Sequence, residues 1–480
     1  MKPKALLAFI VSTIFATQTV ATTTDKLIEP KHFLNGTEIG YDLNFNDQNY
    51  RTIETAINGE KVRFRAFERI VYVKNPVEPE YQSMNIYVPE SYYNEGEING
   101  YKADTAPIFF QNWIKGYMPA KAESDELKGE VGLPHLILRA LSKGYVVVSV
   151  GVRGRTLQKE GKYIGKAPAV IMDLKSAVRY LHANDEKMPG DANKIIANGT
   201  GAGGAVAALL GASADHFDYE PYFKEIGALK ASDKVFAVSA YAPMTNLENA
   251  DMAYEWQFNG VNELAERFPI YLNSLNLTDE SGNPLTLDLK GNGSFKDYLA
   301  NLIKDSANKA YSQLAENSEQ QKEFQEISWL SFENNKVSNV DWSGYVLSEK
   351  RMKSSPAFDI FNATSDENNL FGTTTENNRH FTLYSAERSS NKEINLADPQ
   401  IVKRMNPMFY LDNPNAAEHW RIRVGTADHD TSLAISGILA IKLQMEDKNV
   451  SYKTPWGVLH LDDDLDELFE WVDEIVKPKP

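Results

Sequence analysis

The chain has 480 residues, 42% of them hydrophobic, with 23 Tyr, 22 Phe and 7 Trp: enough apolar material for a packed core, and more length than one typical domain needs. A formal net charge of −16 without any basic run argues against nucleic acid or an anionic membrane surface as a partner. Cysteine is absent, which excludes disulfides, thiol catalysis and zinc–thiolate sites.

Lys2 and Lys4 precede an apolar run over 5–15, and Thr19-Val-Ala21 offers a small-residue cleavage site. Residues 1–21 therefore read as a secretory signal peptide; the run is too short to span a bilayer, and no other long apolar segment follows. The expectation is a secreted or periplasmic protein with no membrane association after cleavage. Residues 22–60 are polar and weakly patterned and read as an extension on the surface. Strands are expected over 62–73, which alternates, over 84–89, stopped by Pro89, and over 106–110. A loop follows at 111–118. Next come a helix at 136–142, a continuously apolar strand at 145–150, and the exit Gly151-Val-Arg-Gly-Arg155. Val170, Ile171, Leu174, Val178 and Leu181 have helical spacing and place a helix over 169–181.

The stretch Lys194-Ile-Ile-Ala-Asn-Gly-Thr-Gly-Ala-Gly-Gly-Ala-Val-Ala-Ala-Leu-Leu210 then reads as a buried strand, a Gly-packed turn and a small-residue helix. That is the shape of the nucleophile elbow of an α/β-hydrolase, G-x-S-x-G. Gly199, Thr200, Ala202 and Gly203 fit it; Gly201 occupies the nucleophile position. Gly199 and Gly203 let strand and helix approach closely, and the helix N-terminus at Ala202 turns N–H groups toward the space above residue 201. A Gly-rich phosphate-binding turn is the alternative, but no Lys-Ser/Thr pair follows Gly204. The 111–118 loop, with Gly116, stands where such hydrolases keep a second oxyanion donor.

A strand is expected at 234–240. Strands and helices alternate up to this point, which implies a parallel sheet with right-handed crossovers. From 246 to 417 the alternation breaks. This polar stretch is patterned mainly as helices, for example over 295–312 and 320–330, and reads as a lid inserted into the hydrolase core. The core resumes at 418–480 with a strand at 419–425, a turn at 426–431, a helix at 432–445, a strand at 450–453, a loop at 455–460 and an amphipathic helix at 465–476. The fold expected is thus α/β: a first core part at 22–245, the lid, and a second core part, with a mostly parallel sheet covered by helices on both faces. There is no internal repeat.

In this fold the triad runs nucleophile, acid, His along the chain. Asp428 follows the strand ending at 425, and His460 follows the last strand and precedes the final helix. Of the histidines at 32, 135, 182, 216, 380, 419, 429 and 460, only His460 has that placement. His429 remains an alternative base and Asp430 an alternative acid; both aspartates could instead cap the helix that follows.

The elbow, together with Leu210-Gly-Ala-Ser213, Asp218-Tyr-Glu-Pro221, Val238-Ser-Ala-Tyr241, Tyr254-Glu-Trp256, Arg351-Met-Lys-Ser-Ser-Pro-Ala-Phe358, His419-Trp-Arg-Ile-Arg423, Asp428-His-Asp-Thr-Ser-Leu433, Pro455-Trp-Gly-Val458 and Asp466-Glu-Leu-Phe469, resembles bacterial tannases, in the tannase–feruloyl esterase branch of the α/β-hydrolases. The resemblance runs from about residue 84 to 476. It implies hydrolysis of galloyl and related phenolic esters without cofactor or metal, Asp428 as triad acid, His460 as base, and Lys353, Glu367 and Asp430 as contacts to the gallate hydroxyls. A Lys with two carboxylates supplies the donor and acceptors a trihydroxyphenyl edge needs. Gly201 departs from the pattern: glycine has no oxygen and forms no acyl-enzyme. Thr200 does not replace the serine, because in an elbow it points away from the base. Loss of a triad nucleophile leaves roughly 10³–10⁴-fold acceleration over water, so a very weak esterase or none is expected. The readings are a tannase-type ester hydrolase whose serine is replaced in this copy, a non-catalytic binder of phenolic esters, and, less in keeping with the lid, an exported peptidase.

Overall fold

The structure is a computed structural model that describes residues 32–35, 38–124, 134–459 and 464–477. Residues 1–21, read as a signal peptide, lie outside the described residues.

A nine-stranded sheet organises the chain. Its strands in chain order are β1 (Arg51–Ile57), β2 (Glu60–Val71), β3 (Ser83–Pro89), β4 (Pro107–Asn112), β5 (Val146–Val150), β6 (Asp191–Thr200), β7 (Ala237–Tyr241), β8 (His419–Arg423) and β9 (Asn449–Lys453). Across the sheet they run β9-β8-β7-β6-β4-β5-β3-β2-β1. The six from β9 to β5 are parallel, and β3, β2 and β1 complete the sheet antiparallel. β4, β5 and β7 are buried along their whole length, as their mainly apolar character requires when helices cover both faces. The helices Ala169–Ala183 and Ala202–Ala212 pack together, and His135–Ser142 packs with Leu465–Val476. Phe469 of the last helix lies edge-on to Phe109 of β4 and to Tyr145, with ring centroids 5.7 and 5.6 Å away. This is the expected α/β-hydrolase arrangement.

Two expectations are corrected. Residues 51–57, expected in an unpatterned surface extension, form β1, paired with β2 from Arg51↔Ala66 to Ile57↔Glu60. An edge strand leaves polar side chains in water, so its alternation is diluted, and the buried Arg51–Glu68 pair at 2.8 Å fixes its start. The helix expected over 320–330 ends at Gln325. Leu330 instead opens a hairpin, Leu330–Glu333 with Lys336–Val340, turned by Asn334 and Asn335, both at positive φ (51° and 59°). A two-residue hairpin turn needs positive φ at both central positions, which asparagine accepts more readily than most side chains.

Between β7 and β8 the chain is mainly helical. Ser294–Ser312 buries Phe295, Leu299, Ile303, Ala307 and Tyr311, a stripe at helical spacing. Trp456, in the loop after β9, packs against Phe324 (4.9 Å) and Trp329 (5.6 Å) of this segment. Buried residues of the sheet and of the segment form one continuous hydrophobic cluster.

Candidate functional site

At the end of β6 the chain turns sharply through Gly201, with φ 60° and ψ −120°, into the helix Ala202–Ala212. The Gly201 N–H donates to the Tyr241 carbonyl at 2.8 Å, and its carbonyl accepts from the Ala205 N–H at 2.9 Å. A Cβ at Gly199 would fall 2.4 Å from the Gly203 carbonyl oxygen and 2.5 Å from Asn112 Nδ2; one at Gly203 would fall 2.5 Å from Asn112 Oδ1. A Cβ at Gly201 would meet nothing within 4 Å. Glycine at 199 and 203 is therefore a packing requirement, whereas residue 201 has room for a side chain and is special only in its backbone. Gly199, Gly201 and Gly204 also have the G-x-G-x-x-G spacing of a dinucleotide turn; here the flanking glycines are consumed by strand–helix contact.

Asn112, at the end of β4, was not singled out by the sequence. Its Nδ2 donates to the carbonyls of Asn198 (3.0 Å) and Gly203 (3.1 Å), and its Oδ1 accepts from the Ile114 N–H at 3.3 Å. One side chain thereby ties the elbow to the 111–118 loop. Gly116 and Tyr117 of that loop both have positive φ (51° and 56°). Ala202 is the first residue of its helix, where backbone N–H groups lack intrahelical acceptors.

Asp428 is buried, and its Oδ1 accepts from the N–H groups of Asp430 (2.9 Å) and Thr431 (3.4 Å). The cap of the following helix, Leu433–Met445, is not either aspartate but Ser432, whose side chain accepts from the Ala434 N–H. The loop after β9 is laced to this turn: Thr426 N–H donates to the Pro455 carbonyl (2.9 Å), Gly457 N–H to Thr426 Oγ1 (2.8 Å) and Ala427 N–H to the Val458 carbonyl (3.3 Å). His460 lies outside the described residues. His429 is engaged elsewhere, its Nδ1 2.8 Å from the Glu349 carbonyl oxygen.

Lys353 and Asp430, distant in sequence, form an ion pair at 2.9 Å, with Lys353 Nζ 4.1 Å above the Phe358 ring. Glu367 is buried on the short helix Asp366–Leu370. Burial pushes its carboxyl up to about 7; the Lys353 charge works against that shift, and Asp366 and Asp430 add to it. Lys353, Glu367 and Asp430 thus lie within one another's electrostatic reach. The unforeseen organiser is Tyr254, buried on the helix Leu247–Gln257. Its hydroxyl donates to the His429 carbonyl (2.9 Å) and accepts from the N–H groups of Met352 (3.1 Å) and Lys353 (3.0 Å). The backbones on both sides of the Lys353–Asp430 pair therefore hang on one phenol. Glu255, the next residue, holds Arg351 in a bidentate pair.

Residues 122–268 match the BD-FAE family model. Over 91% of its length the chain is similar to the tannase of Fusobacterium nucleatum, with 48% identity, all of that chain covered and a TM-score of 0.85. The same share of the chain aligns with the tannin acyl hydrolase of Lactobacillus plantarum at 40% identity, covering 99% of it, TM-score 0.85. The chain belongs to the tannase family. Tannin acyl hydrolase structures in complex with ethyl gallate and with 3,4-dihydroxybenzoate are similar to the chain as well, each at 40% identity over 91% of this chain and 99% of that one, with a TM-score of 0.85. No curated protein matches the chain. Among the described residues, no helix is long and apolar enough to cross a membrane.

Proposed function

We propose that the chain is a secreted tannase-type scaffold for galloyl or related phenolic esters, with Asp428 and His460 as acid and base, and that Gly201 stands where the nucleophilic serine belongs. As written, it binds such esters and hydrolyses them very slowly or not at all. The observation that carries this reading is the elbow: residue 201 has a conformation side chains rarely adopt, at a helix N-terminus, with open space where a Cβ would stand. A serine there would attack the ester carbonyl while His460 took its proton; the Ala202 N–H, and the loop at Gly116, would receive the oxyanion. The engagement of His429 by the Glu349 carbonyl supports His460 as the base, and the lacing of the 455–458 loop to the Asp428 turn supports Asp428 as its partner. Lys353, Glu367 and Asp430 would bind the ring hydroxyls, as their convergence favours.

Methyl gallate hydrolysis by the chain and by Gly201→Ser tests the reading. The unmodified chain should give no measurable acceleration, and the serine variant a kcat higher by several orders of magnitude. Substantial turnover by the unmodified chain that Thr200→Ala abolishes would show the nucleophile to be elsewhere. The second reading, a non-catalytic binder of phenolic esters, rests on Gly201 itself; it gains if Gly201→Ser binds methyl gallate but does not turn it over. Secretion rests on the sequence of residues 1–21, and cell fractionation of the full chain, with N-terminal sequencing of the exported form, checks it.

A further inference from the structure

Arg155 ends the run Gly151-Val-Arg-Gly-Arg155 beyond β5, and its guanidinium joins two parts of the site far apart in sequence. Nε donates to the Gly116 carbonyl at 2.6 Å, on the loop that Asn112 fastens to the elbow. Nη1 donates to Asn369 Oδ1 at 3.0 Å and Nη2 to Asp366 Oδ1 at 2.5 Å. Asp366 and Asn369 bracket Glu367 on its helix. Loop and helix approach so closely that a Cβ at Gly116 would fall 2.6 Å from Asp366 Oδ2. The Glu367 charge also reaches the buried Tyr117 phenol, next in the loop after Gly116. Behind the helix, Lys166 Nζ donates to the carbonyls of Asn369 (2.7 Å) and Asn377 (2.8 Å), so the helix is held from a second direction. A guanidinium is planar with donors in fixed directions, and three acceptors on two elements can satisfy it in only one relative placement.

We infer that Arg155 is a positioning residue that couples recognition of the ligand's ring edge at Glu367 to the placement of the 111–118 loop, so that ring hydroxyls raise the rate of the chemical step and not affinity alone. The inference rests on the proposed function, in which Glu367 meets the hydroxyls and the loop faces the oxyanion. Contacts remote from the reacting carbon raise kcat only when they are realised in the transition state, and a rigid bridge from ring site to oxyanion loop is a means of realising them there.

The experiment is steady-state kinetics in the Gly201→Ser background with methyl gallate and methyl benzoate, reading kcat and KM separately. The parent should show a higher kcat for the gallate. Arg155→Met should lower the gallate kcat by on the order of tenfold or more and bring the gallate/benzoate kcat ratio toward one. Arg155→Lys, which keeps the charge and loses the fork, should behave like Arg155→Met. Asp366→Ala, at a side chain 54% exposed, removes one arm of the bridge with little risk to folding and should move the ratio the same way by a smaller factor. A merely structural role would lower kcat for both esters alike or show only in the melting temperature. Equal fold-losses for the two esters, or an unchanged ratio in all three variants, overturns the coupling and leaves the esterase reading standing. A parent with no turnover overturns both.

Discussion

Replacing Glu367 by Gln should stabilise the protein, and more so as the pH rises. The carboxyl is buried, and burial raises it from the ordinary 4.5 to about 7 even though Lys353 opposes the shift. The folded state therefore holds the proton more tightly than the unfolded chain, so the group's contribution is most favourable at low pH and is lost as pH rises from about 4.5 through about 7. At about 1.4 kcal/mol per pH unit, the interval corresponds to roughly 3 kcal/mol against folding once the pH is above both values. Near pH 5.5 only about 1 kcal/mol of this is felt, and near pH 8 almost all of it. Gln has similar shape and no charge to desolvate, so the stability gap between Glu367→Gln and the parent should widen by about 2 kcal/mol between those conditions. Urea unfolding of both proteins at the two pH values measures it, and the difference between them cancels the other titrating groups. A gap that does not change with pH, or that favours the parent at pH 8, would refute the argument. Methyl gallate affinity should fall in the same variant, because the amide cannot serve the ring hydroxyls as a carboxylate does.

At the elbow, Gly203→Ala drives a methyl into Asn112 Oδ1 and the Ile114 carbonyl and should cost about 1–3 kcal/mol in thermal unfolding. Gly201→Ser meets open space and should lower the melting temperature through its backbone alone, a cost of order 1–3 kcal/mol; Gly201→Ala should match it in stability yet stay inactive. Tyr254→Phe deprives three backbone groups of one hydroxyl, should lose about 1–3 kcal/mol of stability, and should weaken methyl gallate binding by calorimetry through the Lys353–Asp430 pair. Methyl gallate should bind the unmodified chain more tightly than methyl benzoate by roughly 1–3 kcal/mol; equal affinity for the two, or no loss of gallate affinity in Lys353→Ala and Asp430→Ala, would reduce these residues to surface charges.

The centre of the sheet was legible because its strands are buried on both faces and carry short apolar runs, such as Ile108-Phe-Phe110 and Tyr145-Val-Val-Val148, and because glycine and proline punctuate them. β4 and β5 needed only that, and the helix Leu465–Val476 was legible from its amphipathic spacing. β1 was not legible: Arg51-Thr-Ile-Glu-Thr-Ala-Ile57 alternates only weakly at a sheet edge where burial is partial, and its pairing with β2 carries the stability that its own pattern does not advertise. The hairpin at 330–340 was missed for a different reason. Gln320 to Leu330 has acceptable helical composition, but the helix ends at Gln325, Trp329 and Leu330 are buried outside it, and the Asn334-Asn335 turn folds the next residues back as paired strands.

The candidate site divides along the same line between local and non-local causes. Gly199, Gly203 and the order Asp428-then-loop could be read because an elbow is a local shape. The roles of Asn112, Arg155 and Tyr254 could not, because each acts by hydrogen-bonding backbone or side chains brought near by folding; Tyr254 stands in a segment that carries the tannase resemblance, but nothing in that segment says what its hydroxyl holds. The fold adds that departures from local comfort gather around the same elements. Gly201 takes a backbone angle few residues accept, Gly116 and Tyr117 take successive left-handed conformations, and Glu367 keeps a carboxyl where burial opposes its charge. Asn112 ties the first of these to the second, and Arg155 the second to the third. Strain and buried ionisable groups persist where surrounding structure over-determines them, and they concentrate at sites that bind or react. Asn112→Ala, which cuts the link from elbow to loop, should therefore lower the kcat of the Gly201→Ser protein for methyl gallate and methyl benzoate together, in contrast to Arg155→Met, which should act on the gallate; the same selectivity in both variants would mean that elbow, loop and ring site do not form the chain of contacts described.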